Sequence, residues 1–187
     1  MTASIGHNNG PTLERGTAWR AHCWTKARKQ LLPHLPIEVV RNRVRRAAEI
    51  GLDYKTYATV RAATGRDIVA FLFSTNALRL FREHQVLERE RAEKLAAILG
   101  CRRNALAIRP LTAAGVLAAH GPLLDGAAAA PDVHGSWPDT VRAMDAARGS
   151  KTPADAVLLV GDTAMERDWS VAGRLAGYVD APRFFGG

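Results

Sequence analysis

The side chains able to do chemistry gather behind two apolar runs. Ser74, Thr75 and Asn76 follow directly on Ile68–Phe73, and Gly161, Asp162 and Thr163 follow on Ala156–Val160. Glu166 and Asp168 stand about one helical turn further on. Hydroxyls and an amide at one end with carboxylates at the other make an oxygen-rich set. Asp162 with Glu166 or Asp168 could hold a hard cation such as Mg²⁺. The same acids also have a structural use. Thr163 and Glu166 form a T-x-x-E capping box, and acids in a first turn sit well in the helix dipole. They would also repel a phosphate from that helix N-terminus. Capping is the stronger expectation, so Ser74, Thr75, Asn76, Asp162 and Thr163 are kept as an alternative ligand site, with no metal and no catalytic residue assigned.

Other chemistries lack their patterns. There is no G-x-G-x-x-G after a strand, no G-x4-GK[ST], no G-x-S-x-G and no HExxH. The six histidines stand at 7, 22, 34, 84, 120 and 134, without ligand spacing. Cys23 and Cys101 are the two cysteines, with no CxxC, so no disulfide framework is expected and a reducing cytoplasm fits best. No cofactor is expected. The GD…D pattern after one strand, with a polar turn after another, is similar to the haloacid dehalogenase superfamily. That family needs a strand-borne DxD nucleophile pair, and this sequence contains no DxD. The departure argues against phosphatase chemistry.

The elements that would position these residues read as α/β. RDIVAFLFSTN (Arg66–Asn76) is apolar without interruption between polar ends, as in a strand buried on both faces of a parallel sheet. Asn104–Ile108 and Ala156–Val160 read as further strands. Between the first two, Asn76–Leu99 reads as one long crossover helix, with Ala77, Leu80, Phe81, His84 and Leu87 on its apolar side. Leu123–Gly135 (LLDGAAAAPDVHG) reads as a connection. Pro138–Arg148 reads as a helix, and a last helix from the capping box to Ala176 has Gly177 as its C-cap. The expected fold is a three- to four-stranded, mainly parallel sheet with flanking helices, preceded by a basic all-helical segment. The division expected is a flexible tail over 1–12, the helical segment over 13–65 and the α/β domain over 66–187.

Charge separates those parts. Residues 1–66 hold twelve Lys/Arg against four Asp/Glu, and residues 67–187 hold fourteen of each, so the net +8 lies in the first third. Such a partition points that third at a polyanion, duplex DNA first and an acidic protein second. Its helices are read over Thr12–Leu32, with a Trp19, Cys23, Ala27, Leu31 stripe, and from Pro36 to about Ile50. RVRRAAEIGLDYKTYATVRA (Arg43–Ala62) resembles a helix-turn-helix of the repressor type: Ala47 is the small residue, Gly51 the turn glycine, and Ile50, Leu52, Tyr57 and Val60 pin the helices together. Arg46 departs from the family, which has an apolar residue there. The resemblance implies that Tyr54, Lys55, Thr56 and Thr59 face bases and phosphates while Arg41, Arg43, Arg45 and Arg61 grip the backbone. The chain would then be a DNA-binding regulatory protein whose α/β part binds a ligand, a partner or another copy of itself, so that a homodimer is possible.

IGHNNGP (Ile5–Pro11) resembles an opening that recurs in prophage-type proteins of alphaproteobacteria. No apolar run approaches the ~20 residues that span a bilayer, and MTASIGHNNGP lacks the regions of a secretory signal. A cytoplasmic protein with no membrane partner is therefore expected. A third use of the chain, as an adaptor, would take Phe184 and Phe185 as anchors.

Overall fold

The computed structural model describes residues 35–186. The expected tail over 1–12 and first helix over Thr12–Leu32 lie outside them. Contacts divide the chain into Met1–Val40 and Arg41–Gly187. In the first unit the helix that begins at Ile37 is primed by Pro36, whose carbonyl accepts from Val40 N–H at 3.1 Å. That helix, α1 (Ile37–Glu49), continues into the second unit, where α2 (Tyr54–Thr64) follows.

The second unit is built on five parallel strands: β1 (Ala70–Ser74), β2 (Arg102–Ala107), β3 (Gly126–Ala129), β4 (Val157–Gly161) and β5 (Gly177–Asp180), in the order β3-β2-β1-β4-β5. Between them run α3 (Arg89–Ala96), α4 (Ala113–His120), α5 (Trp137–Arg148) and α6 (Ala164–Ala172), and α7 (Ala181–Phe185) follows β5. The α/β expectation holds, with more strands than the three or four expected, all of them parallel. Alternation along each strand gives the sheet two apolar faces. Phe71, Phe73, Ala105, Leu158 and Val160 meet Leu95 of α3, Val116 of α4 and Phe184 of α7. Ala70, Leu72, Leu106, Val157 and Leu159 meet Met144 of α5 and Trp169 of α6. The chain travels outward from β1 through β2 to β3, then returns to lay β4 on the other side of β1. With crossovers of one hand, that reversal moves the helices to the opposite face.

Sequence expectation and structure part in four places. Asn76–Leu99 is not one long helix. Turns follow Ser74, Arg79 and His84 adopt positive φ (55° and 60°), and the helix is confined to Arg89–Ala96. The Gln85 amide explains the break: its Oε1 accepts from Phe81 and Arg82 N–H and its Nε2 donates to Arg79 O, satisfying backbone that a helix would otherwise pair. His84 is exposed, not on an apolar stripe. A strand, β3, stands where Leu123–Gly135 read as a connection, because its Gly-Ala-Ala-Ala sequence carries no β signal. Arg103 and Asp125 hold it in place, with Arg103 N–H and guanidinium donating to the carboxylate and Asp125 N–H to Arg103 O. The last long helix ends at Ala172, so Gly177 opens β5 instead of capping that helix. Phe184 is buried, its ring 5.4 Å from those of both Phe71 and Phe73, and so cannot serve as an exposed anchor. No helix among the described residues is long and apolar enough to cross a membrane.

Candidate functional site

The helical hairpin forms around its small residues. Ala47 and Ile50 are fully buried, and Leu52, Tyr57 and Val60 are buried with them. Gly51 takes φ +73°, a conformation that costs glycine nothing and a side-chain-bearing residue about 1 kcal/mol. Leu52 N–H then bonds back to Ala47 O at 2.9 Å, closing the turn. Asp53 caps α2 by accepting from Thr56 N–H at 2.8 Å, and Gly65 ends it at φ +71°. The apolar residues of the hairpin belong to the same core as Ile68, Phe71 and Phe73, so it packs on the sheet.

Arg46, the departure from the helix-turn-helix pattern, is what fastens α1 there. Its guanidinium pairs with Asp67 at 3.0 Å and Glu49 at 3.4 Å, and donates to the carbonyls of Ile68, Leu99 and Gly100 at 3.2, 3.1 and 2.9 Å. Burial works against its charge, but Asp67 outweighs that and raises its pKa. Asp67 also accepts from Tyr57 OH at 2.9 Å. Burial, with Asp67 as acceptor, pushes the Tyr57 phenol up.

These contacts sort the eight residues assigned to nucleic acid. Lys55 and Thr59 are exposed on α2 and, with the edge of Thr56, border a cleft of about 340 Å³ shared with Gly177, Tyr178 and Arg183. Thr56 itself faces inward, its hydroxyl donating to Asp53 and holding that carboxyl below the usual range. Tyr54 is exposed at the helix start. Arg41 and Arg45 are exposed on α1, Arg45 bonding Asn42 at 3.0 Å, while Arg43 and Arg61 are half-buried. Arg183 is a residue that sequence reading passed over. It lies far along the chain in DAPRFF, where the two phenylalanines draw the eye, yet its guanidinium reaches Asp53 at 3.5 Å. Beside it, Arg167 stacks 4.8 Å from the Tyr178 ring centre. The cleft therefore has Lys55, Arg183 and the Tyr178 side chain among its lining. Burial first, and Asp180 second, push the Tyr178 phenol up to about 12, so it stays a neutral donor.

The alternative site is brought together, but its groups serve one another. β1 and β4 are neighbours at the point where the strand order reverses, which is where open α/β sheets place ligands. Asn76 Nδ2 donates to Glu166 Oε1 at 2.8 Å across that junction. Glu166 is wholly buried and also accepts the N–H groups of Asp162 and Thr163, the latter at 3.1 Å. The capping box is present as expected, with Thr163 Oγ1 accepting from Glu166 N–H. Ser74 accepts Ala77 N–H at 3.0 Å and Thr75 accepts Ile108 N–H at 3.1 Å, so both hydroxyls stitch strand ends. Asp162 and Thr163 reach solvent. Three N–H donors occupy most of the lone-pair sites of this carboxylate, which suits its capping role. Among the described residues no group of three His, Cys, Asp or Glu is placed to hold a metal ion.

No family model, curated protein or solved structure matches this chain.

Proposed function

We propose that the chain binds duplex DNA through the hairpin α1–α2. The observation that carries this reading is the exposed edge of α2, where Lys55 and Thr59 line one cleft together with Arg183. The net +8 confined to residues 1–66 supports it, because phosphate neutralisation supplies most of the affinity of such proteins. In this reading Arg41, Arg43, Arg45 and Arg61 neutralise phosphates, and Arg183 joins them. Tyr54, Lys55 and Thr59 reach base edges, while Thr56 fixes the start of α2 through Asp53. Arg46 is withdrawn from nucleic acid, since its donors are committed to Asp67, Glu49 and three carbonyls.

The test is binding to random duplex DNA at two salt concentrations. With five or so phosphates neutralised, affinity should fall by about two to three powers of ten between 50 and 200 mM salt. Arg43→Ala should lower affinity alike on all sequences and flatten the salt slope by about one unit, whereas Lys55→Ala should cost about 1–3 kcal/mol and relax sequence preference. Binding that ignores salt, or none at low salt, would sink the proposal.

A further inference from the structure

At the other side of the carboxyl edge, the loops leaving β2 and β3 enclose a cleft of about 840 Å³. That lies within the ~300–1,000 Å³ of small-molecule sites. One wall is Ile108–Ala113 and the other Ala129–His134. Its depth has a cause in the sequence. β3 and its extension are Gly-Ala-Ala-Ala-Ala, and side chains of one carbon leave open the space that larger residues would fill. Pro110 and Pro131 fix φ in the two walls, so the cleft exists before any ligand arrives.

The polar groups at its rim are few and paired across it. Arg109 of one loop and Asp132 of the other are 3.2 Å apart, and Asp132 Oδ1 also accepts His134 N–H at 2.9 Å. Arg109 still has guanidinium N–H groups to donate and Asp132 still has lone pairs to accept. A donor and an acceptor thus stand side by side on a rim whose charges cancel, above walls made of Ile108, Leu111 and Val133. Zero net charge does not favour a free phosphate. An edge with adjacent donor and acceptor, over apolar walls, matches a neutral heteroaromatic ring.

We propose that the β2–β3 cleft is a binding site for a small neutral heteroaromatic of purine size, held by the Arg109–Asp132 pair. This is independent of the DNA reading, which concerns a different surface. The experiment is a titration of the ¹⁵N-labelled full chain with adenine, with inorganic phosphate as a separate probe. Adenine at millimolar concentration should shift the amides of Ala107–Ala113 and Ala129–His134 in a saturable way. Ala129→Leu, which narrows the cleft from an exposed position, should weaken the binding that those shifts report while the rest of the spectrum stays in place. Asp132→Asn, which keeps the shape but turns an acceptor into a donor, should weaken binding about tenfold. The proposal is overturned by no saturable shift, by shifts confined to the Lys55 and Thr59 side, or by an affinity that is unchanged in Ala129→Leu. It is equally overturned if phosphate saturates the cleft and adenine does not.

Discussion

Arg46 illustrates how one side chain can replace an apolar contact. Five acceptors converge on its guanidinium, and its removal leaves Asp67 with Tyr57 as its remaining side-chain partner. Arg46→Met should therefore cost about 2–4 kcal/mol, read from urea unfolding, because a half-buried carboxylate loses its cation and three carbonyls lose a donor. A cost below about 0.5 kcal/mol would class it with ordinary surface substitutions and refute the anchoring role. Cys101 makes a second test at this scale. Burial, the largest influence, pushes its thiol up to about 12 from an ordinary 9.0. The folded state holds the proton more tightly than the unfolded one, so the contribution is complete below pH 9 and is lost as pH rises toward 12. In a Cys23→Ser background, the parent should lose stability relative to Cys101→Ala over that window. Iodoacetamide at pH 8 should modify Cys101 only slowly, since the thiolate is scarce. Fast alkylation of the folded chain would contradict its burial.

At the scale of elements, the hairpin depends on a turn that only glycine adopts easily. A methyl on Gly51 would meet the flexible end of Lys94 at 3.3 Å, and one on Gly65 would meet nothing within 4 Å. Both have positive φ, so Gly51→Ala and Gly65→Ala should each cost about 1 kcal/mol, set by backbone and not by collision. A Gly51→Ala cost several times that of Gly65→Ala, by chemical denaturation, would mean that the space around Lys94 decides instead. The segment after β1 teaches the opposite lesson. Residues 76–87 have the composition of a helix, yet Gln85 ties the backbone of Arg79, Phe81 and Arg82 into a loop. Leu78, Leu80 and Leu87 are still buried from that loop. An apolar pattern reports what is buried, and the geometry that buries it depends on such local competition.

At the scale of the molecule, the short α7 closes the core. Phe184 packs edge-on against Phe71, Phe73 and Phe185, and Arg91 lies 4.5 Å over the Phe185 ring. Phe184→Ala should destabilise by about 3–5 kcal/mol in urea unfolding, the usual loss for a buried ring whose space cannot collapse. An unchanged midpoint would show that the end of the chain is not docked. The same docking carries Arg183 to Asp53 at the head of α2, so the candidate interface is completed from a point 130 residues away in sequence.

Sequence alone determined what depends on neighbours along the chain. It yielded the buried parallel strands, the glycine of the hairpin turn and the Thr163–Glu166 capping box, each of which rests on a run, a cap or a φ preference local to its residues. The concentration of positive charge in residues 1–66 was equally legible, being a matter of counting. Tertiary structure decided the rest. β3 and β5 are four residues each and exist because β2 and β4 offer them open edges. Arg46 lost its freedom to Asp67, twenty-one residues further along the chain, and Glu166 was claimed by Asn76, ninety residues earlier. The β2–β3 cleft was invisible for the same reason: a cavity is a property of two loops meeting, and neither loop contains it.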